Sequence, residues 1–340
     1  MMKSNTVTIY AAGGCGINLA SKLGKTVPEG FANMEFAYVD TSRSNMTRNN
    51  VPEDKKFLIK DSNGNEIDGS GKERAANVEH IRKDAERVIT MFKPSNFNIV
   101  IHSITGGSGS VIGPVIVTEL LKRNLPVIVL LAGSSDSTIE IENGIKTMQS
   151  YDAIASRHNT PVICHCEFGA WSKVDTATLQ ITSQLLALLS GNNHGMDTAD
   201  LTKWLNLKVV GHAPSKLYTM DTVIGEKCVD HDGKPFYPIS VATLVTEGPN
   251  GPNDYSINPR PDYQAMGIVP EEWEFNDSVE KKAHKFMGVE PLHFVVSDGI
   301  HTYYNLLDNA KKEIEERIKT SRVSASISKG VQADDDGMVL

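Results

Sequence analysis

A chain of 340 residues, 40% of them hydrophobic and with a formal net charge of −8, has room for two domains or one large α/β domain with an addition. The acidic balance does not imply a nucleic-acid surface formed by the chain as a whole. No apolar run reaches the roughly eighteen residues of a membrane span, Met1–Tyr10 lacks the apolar segment of a signal peptide, and four cysteines fit a reducing compartment, hence a cytoplasmic location, rather than a disulfide scaffold.

Thr6 to Ala12 is a short β-rich run ending in Gly13-Gly14-Cys15-Gly16-Ile17-Asn18, and a helical stretch follows through Lys25. Phe36 to Val39 reads as a strand closed by Asp40-Thr41-Ser42, and residues 53–69 read as polar, turn-rich chain. Asp68-Gly69-Ser70-Gly71-Lys72-Glu73-Arg74 leads into a helical pattern from Ala75 to Phe92, with Pro94 as its stop. Phe97 to Ile101 is apolar and rich in β-branched residues, as a buried strand requires. It runs into Thr105-Gly106-Gly107-Ser108-Gly109-Ser110 and then a helix-spaced apolar stretch through Lys122, with Pro114 near its start. Leu125 to Ala132 is a further buried strand. Gly133 to Asn143 reads as a polar loop, with helical sequence beyond it to about Ser156. Pro161 to Cys166 is the next strand, and there the Cys164-His165-Cys166 pattern fits strand alternation better than a metal site, because no second ligand pair stands at suitable spacing. Val174 to Ser190 is a long apolar helix broken at Gly191-Asn192-Asn193-His194-Gly195. Met196-Asp197-Thr198-Ala199-Asp200 follows. From Lys208 to Phe294 Pro and Gly are dense, with strands at Tyr237–Thr246 and Leu292–Ser297. An amphipathic helix over Tyr303–Lys319 precedes a polar tail.

Strands alternating with helices predict an α/β fold with a doubly wound parallel sheet. The expected organisation is a nucleotide-binding domain over 1–173, a central helix over 174–191, a smaller α+β domain over 192–299, a C-terminal helix over 300–324 and a flexible acidic tail over 325–340. Each strand-to-helix loop of such a sheet lies on one edge, where ligands bind. The glycine loops at Gly13, Gly69 and Gly106 can therefore converge on one ligand. Glycines allow close backbone approach and positive φ. Bare N–H groups at a helix start favour an anion. Three glycines and three hydroxyls in the six residues Thr105–Ser110 favour phosphate over a generic tight turn.

A Walker loop does not fit: Gly71-Lys72 has Glu66 where the first glycine belongs and Glu73 where the hydroxyl belongs. A dinucleotide fingerprint fits better, with Gly14 and Gly16 spaced correctly and Asp40 ending the second strand, although Leu19 holds the third glycine position. It makes a Rossmann-type NAD(P)-dependent oxidoreductase the alternative reading.

The arrangement resembles the tubulin/FtsZ superfamily. Gly106-Gly107-Ser108-Gly109-Ser110 is similar to its signature phosphate loop, with Ser108 where Thr is usual, and Gly13-Gly14-Cys15-Gly16-Ile17-Asn18 is similar to its first nucleotide loop. Ser135-Asp136-Ser137-Thr138-Ile139-Glu140 resembles the ribose loop. The resemblance implies a GTPase that binds GTP/GDP with Mg²⁺. Phosphates would lie on Gly13, Gly14, Cys15, Gly16, Thr105, Gly106, Gly107, Ser108, Gly109 and Ser110. Gly69, Ser70 and Gly71 would close near the γ-phosphate, and Glu140 would meet the ribose. Asn18 would lie near guanine. Asp175 either reads guanine or is an ordinary helix N-cap. Met196–Asp200 resembles the loop whose acids reach the nucleotide of the next subunit, which implies that Asp200 first, and Asp197, are catalytic across an interface; Asp197 can at the same time cap the helix beginning near Thr198. The chain looks most like the bacteriophage-encoded tubulins of the PhuZ type. That resemblance implies dynamic head-to-tail filaments in a host cytoplasm, positioning phage DNA or a replication compartment without direct nucleic-acid contact. It also implies a tail that docks on a neighbouring subunit, Asp334 to Asp336 steering and Met338, Val339 and Leu340 anchoring, with Lys311, Lys312, Arg317, Lys319 and Arg322 as candidate acceptors.

Overall fold

A computed structural model describes residues 5–25, 27, 30–67, 69–134, 137–225, 228, 236–245, 257–269 and 291–328, with side chains of the last helix described to residue 320. The tail residues Asp334–Leu340, the Arg322 side chain, and Asp68, Ser135 and Asp136 of the sequence motifs lie outside them.

The chain opens with β1 (Thr6–Ala12), α1 (Gly13–Leu23), β2 (Asn33–Asp40), α2 (Arg43–Arg48), β3 (Lys56–Leu58) and α3 (Val78–Met91). It continues with β4 (Phe97–Ser103), α4 (Gly109–Leu121), β5 (Val127–Gly133), α5 (Thr138–Arg157), β6 (Val162–Phe168) and α6 (Trp171–Leu188). Then come α7 (Thr198–Leu205), α8 (Leu207–Val210), β7 (Leu217–Ile224), β8 (Pro238–Val245), β9 (Tyr263–Ile268), β10 (Leu292–Ser297) and α9 (Ile300–Ser328). The described strands form one sheet in the order β3-β2-β1-β4-β5-β6-β7-β10-β8-β9. It is parallel from β3 through β7, β10 runs antiparallel to both β7 and β8, and β8 pairs with β9 in parallel.

Alternation along each strand builds a core on both faces. In β1, Val7, Ile9 and Ala11 face the α1 and α6 side, packing with Ile17, Leu185 and Leu188. Tyr10 and Ala12 face the α3, α4 and α5 side, with Val88, Ile116 and Met148. β4 and β5 are buried at every position, as central parallel strands covered on both faces must be. The β6–β7 pairing is short: Val162–Cys164 lie beside Leu217–Thr219. Just past it the His165 ring reaches across, with Nδ1 2.8 Å from Met220 O and Nε2 2.7 Å from Glu167 Oε1.

The central helix begins at Trp171 and ends at Leu188, so it starts before the predicted Val174. Its 18 residues span about 27 Å. Trp171 lines a cleft at the C-terminal ends of β1 and β4. At the other end, Asn5, the residue before β1, donates its N–H to Ser190 O at 2.8 Å and its amide to Leu189 O at 3.1 Å. α6 thus runs from one edge of the sheet to the opposite edge.

Three local expectations change. The predicted loop Gly133–Asn143 gives way to helix α5 at Thr138, because the Ser137 hydroxyl accepts from Glu140 N and caps it. Pro114 lies inside α4, not at its start. Ser110 O, whose helical donor Pro114 lacks, is instead met by Arg74 Nη1. The polar stretch 53–69 carries an unforeseen edge strand, β3, paired with β2 from Tyr38 to Asp40. C-terminal helix α9 packs on α5: Leu307 is buried against Gly144, where an added Cβ would come within 3.1 Å of it. Lys311 Nζ lies 3.4 Å from Glu142 Oε1.

Candidate functional site

Two glycine loops meet at the C-terminal edge of the sheet. β1 turns straight into α1 at Gly13, with φ +69°, and a Cβ there would fall 2.7 Å from the Cα and N of Gly109, the first residue of α4. A Cβ on Gly109 would in turn fall 2.8 Å from Ala12 O. Backbone meets backbone at this point, so neither position admits a side chain. The N-termini of α1 and α4 are brought side by side, and the first N–H groups of a helix lack intrahelical acceptors.

A third loop closes over them. Gly69 and Gly71 have positive φ, and Lys72 between loop and helix is also left-handed at φ +68°. Ser70 stands on the phosphate-like loop: a Cβ on Gly107 would fall 1.9 Å from Ser70 Oγ, and Ser108 Oγ lies 3.3 Å from Ser70 Oγ. Thr41 Oγ1 and Ser108 Oγ are 2.7 Å apart. Asn143 Nδ2 donates to Lys72 O at 2.9 Å and Lys72 Nζ pairs with Glu140 Oε1 at 2.9 Å. Thr105 and Gly106 are set by Ser103 Oγ, which accepts both of their N–H groups at 3.1 Å.

These residues enclose a cleft of about 350 Å³. Of the predicted nucleotide residues, Gly13, Gly14, Cys15, Gly69, Ser70, Thr105, Gly106, Gly107, Ser108, Gly109 and Glu140 line it. Gly16 does not. Its role is packing, since a Cβ there would sit 2.2 Å from Ile101 O and push α1 off β4. Ser110 is fully buried and donates to Gly107 O at 2.9 Å, so it shapes the loop from beneath. Gly71 is outside the lining, with open space around it. Asn18 and Asp175 are brought together off the cleft wall: Asn18 Nδ2 donates to Asp175 Oδ2 at 3.2 Å, and Lys22 Nζ lies 2.9 Å from the same oxygen. Asp175 is in the second turn of α6, whose N-cap is Ala170, so the N-cap alternative for Asp175 is excluded. Burial, with the Asp175 charge second, pushes the Cys15 thiol up to about 12, and it remains a neutral wall.

The sequence reading gave Ser42, Asn45, Lys72, Ser103 and Trp171 no binding role, and Asp40 one only in the dinucleotide alternative, yet all six line the cleft. Asp40 was visible as a strand-ending acid. It is buried, which raises its carboxyl pKa against hydrogen bonds from Asn45, Thr41 and Ser42 that lower it. Trp171 had no sequence signal, because it becomes cleft wall only once α6 starts ahead of Val174. Among the described residues no group of three or more His, Cys, Asp or Glu could hold a metal. Hydroxyls and backbone amides predominate in the cleft, so a magnesium ion would be held by phosphate oxygens and water, which Mg²⁺ keeps readily.

Asp197 and Asp200 are elsewhere. Asp197 caps α7, accepting from Ala199 N at 2.8 Å and Asp200 N at 3.0 Å, and Asp200 Oδ2 accepts from Asp197 N at 3.1 Å. Both acids are thus members of one capping box, and Tyr263 OH adds a 3.2 Å bond to Asp200 Oδ1. Asn5 Nδ2, below the start of β1, lies 3.5 Å from Thr198 Oγ1. The acids are therefore at the edge of the sheet opposite the cleft, a separation of about 23 Å over the seven residues of β1. A larger groove of about 740 Å³ between α3, α4 and α5 contains none of the predicted site residues. No described helix is long and apolar enough to cross a membrane.

Residues 6–160 match the Tubulin/FtsZ family, GTPase domain. A phage tubulin-like protein of Pseudomonas phage PhiPA3 is 25% identical over 338 residues, covering 98% of both chains. Another, from Pseudomonas phage phiKZ, is 25% identical over 330 residues, covering 93% of this chain and 90% of its own. The GDP-bound phage tubulin PhuZ superposes with a TM-score of 0.72 at 21% identity, over 98% of this chain and 99% of its own. Three converging loops, where a dinucleotide fold uses one, together with these matches speak against the dehydrogenase reading. Residues 6–160 thus carry the match to the Tubulin/FtsZ GTPase domain, and the chain over nearly its whole length resembles phage tubulin-like proteins.

Proposed function

We propose that this chain binds GTP in the cleft at the C-terminal edge of the sheet and assembles head to tail into filaments that hydrolyse it between subunits. The observation that carries the reading is the span of α6: one end walls the cleft, and the other lies by the Asp197–Asp200 box at the opposite edge. A subunit stacked along that axis would bring its acids to its neighbour's cleft. Relatives support the assembly, since solved structures include a protofilament of TubZ from bacteriophage PhiKZ, with a TM-score of 0.70 at 22% identity.

In this reading the phosphates lie on the N–H groups of Gly13, Gly14 and Gly107–Gly109, with Cys15, Thr105 and Gly106 as wall. Ser70, on the Gly69–Gly71 loop, stands at the γ-phosphate end. Gly16 and Ser110 hold the loops in place. Glu140 accepts from ribose hydroxyls, and Asn18 with Asp175 receives the base. Phosphate oxygens and water would hold Mg²⁺, which would supply charge neutralisation there. Asp200 from the next subunit orients the attacking water, which helps only when placed in line, so hydrolysis depends on assembly. Asp197, as cap, positions Asp200. Loss of the γ-phosphate then weakens the interface and makes the polymer dynamic. The tail from Asp334 onward docks on a neighbouring subunit, with Lys311, Lys312, Arg317, Lys319 and Arg322 of α9 as acceptors. Location in a host cytoplasm and positioning of phage DNA extend the same reading.

The test is the rate of GTP hydrolysis per subunit against protein concentration, for the natural chain and for Asp200→Ala. The natural rate is expected to rise with concentration, and Asp200→Ala is expected to sediment with GTP yet turn it over at least tenfold more slowly. A rate per subunit independent of concentration refutes the shared site. Loss of GTP binding in Asp200→Ala refutes the assignment of the acid to the neighbour's cleft.

A further inference from the structure

Of the described residues lining the cleft, three are ionisable by charge type: Asp40, Glu140 and Lys72. Two carboxyl groups and one ammonium are poor company for a nucleoside triphosphate. The one cation is already engaged, with Lys72 Nζ 2.9 Å from Glu140 Oε1. The neighbouring guanidinium, Arg74, is committed to Ser110 O, Thr147 Oγ1 and Ser150 Oγ.

The Lys72 backbone is fixed over the loop that would hold phosphates. Its Cα lies 3.0 Å from where a Gly107 Cβ would stand. Its carbonyl accepts from Asn143 Nδ2 at 2.9 Å, and the turn is closed by Glu73 N donating to Ser70 O at 2.8 Å. The side chain is not fixed in this way. It is 57% exposed, and among the described residues its one hydrogen bond is to Glu140. Such a half-exposed pair is cheap to separate. Glu140 differs, because its side chain is 7% exposed. Ser137 Oγ donates to Oε2 at 3.1 Å, but if Lys72 left, Oε1 would be a buried acceptor with no donor, which is costly. The pair can therefore separate readily only when another donor arrives at Glu140.

Resting on the reading of this cleft as a nucleotide site, we infer that Lys72 is its phosphate-binding cation, stored on Glu140 and released when a ribose hydroxyl takes that carboxylate. The exchange leaves no buried group unpaired. The sugar satisfies Glu140, and the ammonium moves to the terminal phosphates, where charge-assisted bonds are strong. Lys72 thereby favours triphosphate over diphosphate, and it does so only for a ligand that carries a sugar. Inorganic tripolyphosphate cannot trigger the exchange.

The experiment is calorimetric titration of the full chain with GTP, GDP and inorganic tripolyphosphate, for the natural protein, Lys72→Ala, Lys72→Arg and Glu140→Gln. Lys72→Ala is expected to lose about tenfold or more in GTP affinity, little in GDP affinity, and so its preference for triphosphate. Lys72→Arg, which keeps the charge, should restore most of that preference. Glu140→Gln frees the ammonium and should bind tripolyphosphate several-fold more tightly than the natural chain while binding GTP more weakly. An unchanged GTP-to-GDP ratio in Lys72→Ala overturns the inference, as does unchanged or weaker tripolyphosphate binding in Glu140→Gln. If the natural chain binds neither nucleotide, the reading of the cleft fails first and Lys72 with it. If it binds both and Lys72→Ala is indifferent, the assignment of Lys72 alone fails.

Discussion

Arg74→Ala tests how the phosphate-side loop is tied to the helix that starts the cleft. Ser110 O in the first turn of α4 would ordinarily accept from the N–H four residues on, but that residue is Pro114, which has none. Arg74 Nη1 supplies the donor, and the same guanidinium reaches Thr147 Oγ1 and Ser150 Oγ, each at 2.7 Å. Ser110 is fully buried beneath Arg74, so removing Arg74 leaves its carbonyl without a protein donor, a cost of about 1–3 kcal/mol. Thr147 and Ser150 keep the bonds that they donate to Ile104 O, Asn143 O and Lys146 O, and the two accepted bonds lost add about 1 kcal/mol each. The expected total is about 3–5 kcal/mol. The Ser110 part is recoverable: Pro114→Ala restores a backbone N–H in the place where Arg74 now acts. Urea midpoints for the natural chain, the two single variants and the double variant close a double-mutant cycle. Arg74→Ala should cost at least ~1 kcal/mol less in the Pro114→Ala background. Additivity within about 0.5 kcal/mol refutes the argument that one group substitutes for the other.

Gly13→Ala should abolish nucleotide binding in a chain that still folds, because its methyl meets the Gly109 backbone at 2.7 Å and its φ of +69° adds about 1–2 kcal/mol of strain; nucleotide affinity near the natural value would contradict the packing of the two loops. Asp197→Ala removes both N–H acceptances at the start of α7 and should cost about 1 kcal/mol in urea unfolding, whereas Asp197→Asn or Asp197→Ser should recover most of it. Burial disfavours the His165 imidazolium, but Asp221 and Glu167 outweigh it and push the pKa from 6.5 to about 10. A folded pKa raised above the unfolded one stabilises fully below about pH 6.5 and progressively less as pH rises through about 10. The stability difference between the natural chain and His165→Gln should therefore be large at pH 6 and shrink toward pH 10; a difference constant across that window would show His165 to be neutral in the folded protein.

Much of the cleft was legible because its chemistry is local. Strand, glycine loop and helix start are adjacent in sequence at Gly13 and again at Gly106, and the parallel sheet alone brings such loops to one edge. What local pattern could not supply was contact between distant segments. Lys72 was visible only as a failed Walker lysine, since its partner Glu140 is 68 residues away in sequence. Arg74 had no signal, because the vacancy it fills is created by Pro114 in another element. Gly16 and Ser110 matched a motif as ligand contacts, yet they sit one layer behind, where the motif keeps α1 and α4 close to β4. β3 was missed because three residues at a sheet edge, beside a polar hairpin-like turn, carry too little apolar periodicity to register. The acids at 197 and 200 were read from the sequence both as a helix cap and as a catalytic pair for a neighbouring subunit. The structure shows the capping box, and it places both acids beyond reach of their own cleft.

The fixed length of α6 has a further consequence for any polymer built as proposed. A rigid rod with a cleft wall at one end and the acid-bearing turn beyond the other gives every subunit one incomplete half-site at each tip. A row of n subunits then contains n−1 completed sites. One tip always displays a nucleotide with no acid facing it, and the opposite tip displays acids facing no nucleotide. The two ends are chemically unlike from the first dimer onward, and the subunit at the cleft-exposed tip retains its triphosphate until the next one arrives. Directionality and a protected end thus follow from the placement of a single helix.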